Sequence, residues 1–264
     1  MTIIQAIILA IVEGLTEFLP ISSTAHMKFA NPIIGVESTP FSDMFEIVIQ
    51  LAAILAVVVV YYKKFFDFSR LSFYIKLIIA VIPAIIFGAL LKKHIDYALG
   101  NLYFIAAVMV AGGIVMLFVD RWFRNPTIDD EAQVSNGTAF RIGCFQVLSI
   151  LLPGVSRSAA TIIGGMSQSL TRKAAAEFSF FLAVPTMVAA SVKSFWDVHK
   201  EHPDVLSKDN FFLLGISSVV AFIVAIFVVR FFIGFLKKYG FKFWGYYRIV
   251  VGLVMLLLLW RGMV

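Results

Sequence analysis

Two glutamates, Glu13 and Glu17, stand four residues apart inside a stretch that is otherwise almost wholly apolar. On a helix this spacing puts both carboxylates on one face, about one turn apart. Two anions that close repel in a low-dielectric setting, so they require a shared proton, an arginine or a divalent metal. Pro20 then interrupts the pattern, and Ser22, Ser23 and Thr24 open a second apolar arm, with His26 behind them. Hydroxyls at a helix start serve as N-caps. A serine with a histidine three residues later also carries the parts of an activated nucleophile or a general acid. A third group lies far away in the chain, at Pro153-Gly154-Val155-Ser156-Arg157-Ser158 and Thr161. Free N–H groups at a helix start, hydroxyls and one arginine suit an anion. Arg157 in apolar surroundings requires an anionic partner, either a glutamate or a phosphate.

These residues belong to a chain whose composition does not suit water. Of its 264 residues 61% are hydrophobic and only 14% charged, against roughly 25% charged in an average soluble protein. Such a chain cannot cover a water-facing surface, so its solvent is largely lipid. The single cysteine, Cys144, excludes a disulfide scaffold. The net charge of +6 is spread over short hydrophilic breaks without forming a basic face, so nucleic acid is not an expected partner. The first Lys or Arg is Lys28, so no cleavable targeting segment is expected.

Six charge-poor apolar runs predict membrane-spanning helices over 41–62, 73–91, 97–119, 174–194, 210–232 and 244–261. Two further apolar regions, 3–30 and 138–170, are broken by the proline and serine clusters. Broken helices at membrane depth are tolerated where the freed backbone faces protein or a cavity. Both therefore read as re-entrant helix–loop–helix hairpins. Pro20 and Pro153 lie 133 residues apart, and Glu46 and Glu177 lie 131 apart, close to half the chain. The expected fold is thus an all-α polytopic membrane protein with an inverted-topology repeat. Each half, 1–119 and 138–264, would hold one hairpin plus three spans, joined by a cytoplasmic loop at 120–137. An odd number of spans per half makes the second half enter from the opposite side. Glu46 and Glu177, each heading a span, read as polar ties between the halves.

Charge orients the chain. Ten basic residues, including Lys63, Lys64, Arg172 and Lys173, would lie on one side and seven on the other, which puts the first side in the cytoplasm. The mouth of the first hairpin then faces outward. Trp122, Trp196, Trp244, Tyr246, Tyr247 and Trp260 lie near span ends and read as interfacial anchors.

The run from Val12 to His26 (VEGLTEFLPISSTAH) resembles the first motif of the undecaprenyl-pyrophosphate phosphatase family of the bacitracin-resistance type. Pro153 to Thr161 is similar to its second motif, and the stretches after Phe45 and Glu177 to two further ones. The resemblance covers essentially the whole chain. It implies a bacterial inner-membrane hydrolase that removes one phosphate from undecaprenyl diphosphate on the outer leaflet. That reaction recycles the lipid carrier of cell-wall synthesis and confers bacitracin resistance. It also implies dependence on a divalent cation, Mg2+ or Ca2+. By position, the family's acidic motif falls on Glu13 and Glu17, which would hold the metal or activate the nucleophile. Its serine and histidine fall on Ser23 and His26, and its arginine motif on Ser156, Arg157, Ser158 and Thr161, which with Ser22 and Thr24 would bind the diphosphate. Attack by Ser23 and attack by water both remain open, as does a homodimer. The chain departs from the family at Ala25 and Ala159, where glycine is usual, so neither can be the turn residue with positive φ. The alternative from another class is a transporter or flippase for an anionic lipid, since inverted repeats with broken helices are also transporter architecture.

Overall fold

The computed structural model describes residues 1–67 and 69–263. The chain begins with α1 (Ile3–Thr16) and α2 (Ser23–Ile33). After them come α3 (Pro40–Val60), the single turn α4 (Tyr62–Phe65), α5 (Leu71–Leu90), a short α6 (Lys92–Leu99) and α7 (Leu102–Trp122). A loop with a 3-10 turn at Glu131–Gln133 leads to α8 (Asn136–Leu151) and α9 (Arg157–Ser167). The last three helices are α10 (Arg172–Glu201), α11 (Lys208–Tyr239) and α12 (Lys242–Trp260). Among the described residues the only strand-like pairing is an isolated bridge between Ile128 and Leu170.

Local chemistry writes most helix starts. Thr2 with Gln5 and Thr39 with Ser42 form reciprocal capping boxes. Asn101, Ser135, Thr171 and Ser207 each accept the amide three residues on. The Asn101 cap corrects one expected boundary: the span read from residue 97 starts at Leu102, because 92–99 winds into its own short helix first. The helices α10 and α11 outrun the expected 174–194 and 210–232, since charged residues at their ends continue the helix beyond the apolar stretch.

Six helices, α3, α5, α7, α10, α11 and α12, are long and apolar enough to cross a membrane. The pair α1–α2 doubles back on itself: the Gln5 side chain at the start of α1 donates to the carbonyls of Ile34 and Gly35 just past α2, at 2.8 and 3.2 Å. The pair α8–α9 does the same, with Arg141 donating to Gln168 at 2.9 Å. The arms then pack crosswise, α1 along α11 and α8 along α5, with α3 between α10 and α11 and α9 against α10. Phe18 meets Phe180 edge-on at 5.0 Å, and Phe181 gathers Tyr61, Phe65 and Phe73 in the main core. A smaller core joins α7 and α12 to α2 through Ala25, Phe29, Ile105, Ala106, Met109 and Met255.

Ion pairs gather at the two ends of the bundle. At one end Lys64 bonds Glu131 (2.8 Å) and Glu177 (3.1 Å), and Arg172 bonds Asp120 (2.8 Å). At the other, Lys28 bonds Asp43 (3.1 Å), and Lys92 and Lys193 share Asp197. Glu131 is anchored in the loop outside the spans. Burial pushes its carboxyl above the usual carboxylate range, although the bond from Lys64 draws it back.

The tightest backbone approach to a glycine lies where α8 crosses α5. A Cβ at Gly143 would collide with the Ala80 carbonyl oxygen, so only glycine fits without moving a helix. Gly143→Ala should therefore lower the melting temperature in detergent by about 3–10 °C. Gly215→Ala, with open space around it, should leave the melt unchanged or raise it slightly. Equal melts for the two variants would show that the crossing relaxes freely.

Candidate active site

The two breaks meet at the centre of the bundle. Ser22 caps α2 with φ 70°, and Ser156 caps α9 with φ 76°. Each serine Oγ accepts the amide three residues on, Ala25 and Ala159, at 3.3 Å. Positive φ in a residue other than glycine is strained and recurs at functional sites. The strain falls on these serines, while Ala25 and Ala159 are helical and need no special geometry.

The reactive groups of the two breaks interlock. Arg157 Nη2 donates to Glu17 Oε1 at 2.7 Å, and Ser23 Oγ donates to Glu17 Oε2 at 2.5 Å. One carboxylate thus accepts from a cation of one break and a hydroxyl of the other. Arg157 Nη1 also reaches the Ser179 carbonyl at 3.4 Å. Ser156 and Ser158 bond to each other at 3.0 Å, and Ser158 donates to the Leu19 carbonyl, which ties the second break to the first. Thr161 Oγ1 bonds Ser179 Oγ at 2.6 Å and the Arg157 carbonyl at 2.8 Å, so it stiffens the turn carrying the arginine. Ser22, Ser23, Ser156 and Ser158 are buried, and Thr24 is half-buried beside them.

Glu13 is 0% exposed, its carboxylate lies within hydrogen-bonding reach of that of Glu17, and no donor among the described residues bonds it. Glu17, Glu46 and Arg157 are the charges within its electrostatic reach. A buried carboxylate in this condition must be protonated or must face a cation. Among the described residues no cluster of three or more His, Cys, Asp or Glu side chains has metal-site geometry. Glu46 accepts from Asn31 (2.7 Å) and pairs with Lys28 (3.2 Å), both in the first half of the chain, so it corrects the expectation of a tie between halves. Glu177, paired with Lys64 of the first half at 3.1 Å, is such a tie. His26 also departs from expectation. Its Nδ1 bonds the Ser22 carbonyl and its Nε2 the Tyr247 hydroxyl, so it does not engage Ser23.

Among the described residues one fully buried cation has no acidic partner. Arg248 of α12 is 0% exposed and donates to four carbonyls: Met109 (3.3 Å), Pro20 (3.2 Å), Val155 (2.6 Å) and Gly154 (2.7 Å). Three of these belong to the two breaks. The fork of Arg248 therefore holds both turns at once.

Residues 6–254 match the bacitracin resistance protein BacA family. The chain belongs to that family. It is 49% identical to an undecaprenyl-diphosphatase of Porphyromonas gingivalis, covering 99% of this chain and 98% of the relative. The corresponding enzyme of Flavobacterium psychrophilum is 51% identical over 98% and 96% of the two chains, and that of Bdellovibrio bacteriovorus 42% over 99% and 98%. With six apolar helices of spanning length, the chain is a multi-pass membrane protein.

The motif-based reading named Glu13, Glu17, Ser23 and Arg157, which the structure brings together, and did not name Arg248. The signal was present: an arginine inside the expected 244–261 span belongs with the costly intramembrane charges. Arg248→Met should remove the cation and leave the carbonyls of both breaks unpaired. A loss of roughly 3 kcal/mol in stability is expected, with turnover falling in the fraction that still folds. Calorimetry and phosphate-release assays on purified protein would check both, and a variant with normal melting and turnover would show that the carbonyls find other partners.

Proposed function

We propose that the protein hydrolyses undecaprenyl diphosphate to undecaprenyl phosphate and inorganic phosphate in the bacterial inner membrane, conferring bacitracin resistance. The observation that carries this reading is the single carboxylate of Glu17, held between the Arg157 cation and the Ser23 hydroxyl at two strained turns. The family and its similar relatives support the same substrate. A carrier of anionic lipids would have no use for a hydroxyl bonded to a base.

In this reading Arg157 exchanges Glu17 for the terminal phosphate when substrate arrives, because its planar fork matches a phosphate edge. Glu17, released from its cation, then takes the Ser23 proton as Oγ attacks the terminal phosphorus. The bridging P–O bond breaks and undecaprenyl phosphate leaves. Water next hydrolyses the phosphoserine, returning Ser23 and releasing phosphate. In the variant with direct attack by water, Glu17 takes the water proton and Ser23 only binds. Trapping a phosphoserine at Ser23 in quenched reactions distinguishes the two routes. The N–H groups at the starts of α2 and α9, with the hydroxyls of Ser22, Thr24, Ser156, Ser158 and Thr161, would carry the negative charge of the diphosphate. The adjacent carboxylates of Glu13, which lacks a donor, and Glu17 are the residues that would hold a divalent cation such as Mg2+ or Ca2+. When bound, that cation would neutralise carboxylate and phosphate charge.

The two breaks we read as re-entrant hairpins of an inverted repeat. Their matching serine caps, their equal-length second arms and the doubling back of each pair support this. The first hairpin would open to the periplasmic face, where the basic residues are fewer.

Arg157→Lys should be nearly as damaging as Arg157→Ala, each lowering phosphate release about 10²–10³-fold, because a point charge cannot reproduce the fork. Retention of half the activity in the lysine variant would assign Arg157 a structural pairing with Glu17 instead. Glu37, exposed past α2, reports sidedness: Glu37→Cys in a Cys144→Ser background should react with an impermeant thiol reagent added to intact cells. Labelling only from the inner face would turn the site toward the cytoplasm.

A further inference from the structure

Tyr247 lies near the start of α12, where the sequence suggests a membrane-interface anchor. Its hydroxyl is instead 2.9 Å from Nε2 of His26, and the two rings stack with centroids 5.7 Å apart and planes 14° from parallel. The other ring nitrogen, Nδ1, is 2.7 Å from the Ser22 carbonyl oxygen. A carbonyl oxygen only accepts, so Nδ1 carries the hydrogen. In the neutral ring Nε2 is then bare, and the Tyr247 O–H donates to it. The result is a directed chain: Tyr247 hydroxyl to His26 imidazole to Ser22 carbonyl. The same carbonyl accepts the His26 amide at 3.2 Å. Bonds linked in this way polarise and strengthen one another.

The chain ends on the strained residue. Ser22 holds φ 70° and sits immediately before Ser23, so its conformation sets the direction in which Ser23 enters α2. Strain of that kind persists only where surrounding contacts over-determine it. With both ring nitrogens committed, His26 has no lone pair or hydrogen for Ser23, whose hydroxyl already donates to Glu17. We propose that Tyr247 is a positioning residue: acting through His26, it braces the Ser22 turn so that Ser23 stays on Glu17. This rests on the phosphatase reading, and it makes His26 a strut instead of a base or acid.

Tyr247→Phe keeps the ring and its stacking and removes only the hydroxyl. It should lower kcat roughly three- to tenfold, the worth of one lost hydrogen bond, and leave KM within about twofold. In a His26→Ala background the same change should have no further effect, because the strut is already cut. Tyr246→Phe, at an exposed neighbour, should match wild type. Independently of turnover, 15N spectra of histidine-labelled protein should show the His26 Nε2 resonance shifting in Tyr247→Phe with the other three histidines unmoved. Losses that multiply in the double variant, full activity in Tyr247→Phe, or an unmoved His26 resonance would each overturn the strut. If wild-type protein releases no phosphate from undecaprenyl diphosphate, the phosphatase reading falls instead, and the spectra still decide the contact.

Discussion

A helix that ends among apolar neighbours leaves backbone carbonyls without partners, and lipid supplies none. Helices α1 and α8 both end in this way, and the turns after them must be held by protein groups. Arg248 meets much of this need alone. Its guanidinium offers five N–H donors and no acceptor, and it takes carbonyls from both turns and from α7. A lysine would bring three donors on a flexible stem and could not span the same set. A buried cation without an acidic partner costs free energy, but carbonyl dipoles from four residues spread that charge. The site depends on this arrangement, because the turns it fixes are those that carry Ser22, Ser23, Ser156 and Arg157.

The chemistry then rests on a balance that Arg248 does not disturb. Arg157 and Glu17 form a largely buried pair at 2.7 Å. Breaking such a pair by removing one partner leaves an uncompensated charge. An anion arriving at Arg157 keeps the arginine paired and leaves Glu17 to take a proton or another cation, whereas an apolar ligand leaves both charges unpaired. The pair therefore favours exchange with an anionic group over an uncharged one. Glu13 lies beside it, wholly buried, with its carboxylate against that of Glu17 and no donor of its own.

Much of this was legible in the sequence. Lipid dictates composition, so the apolar runs mark α3, α5, α7, α10, α11 and α12 without homologues or coordinates. Charges in apolar runs are expensive, which is why Glu13, Glu17 and Arg157 stand out as a group. The features that stayed hidden depend on direction. Ser23 and His26 are spaced as neighbours on a helix, yet their side chains part, one to Glu17 and the other to Ser22 and Tyr247. Spacing fixes a helix face but not a rotamer. Tyr247 reads as a belt residue because an aromatic near a span end gives no sign of which face it occupies. Arg248 escapes a search for salt bridges because its partners are carbonyls, which no sequence pattern announces.

The two turns also show how nearly the same backbone can be put to different uses. Ser22 and Ser156 share a positive φ, a cap on the amide three residues on and an 11-residue helix beyond. The next residue differs: Ser23 after one serine, Arg157 after the other. Glu13 faces the site from α1, while the residue 133 positions later is Gln146, buried and neutral in α8. Two copies of the first turn would set two serines and four carboxylates together, with no cation between them. Two copies of the second would set two arginines together with no carboxylate to hold them. Only one of each puts the Ser23 hydroxyl and the Arg157 cation on the single carboxylate of Glu17. A matching pair of turns thus supplies the geometry, and the residues that make them unlike supply the bond from hydroxyl to carboxylate to cation.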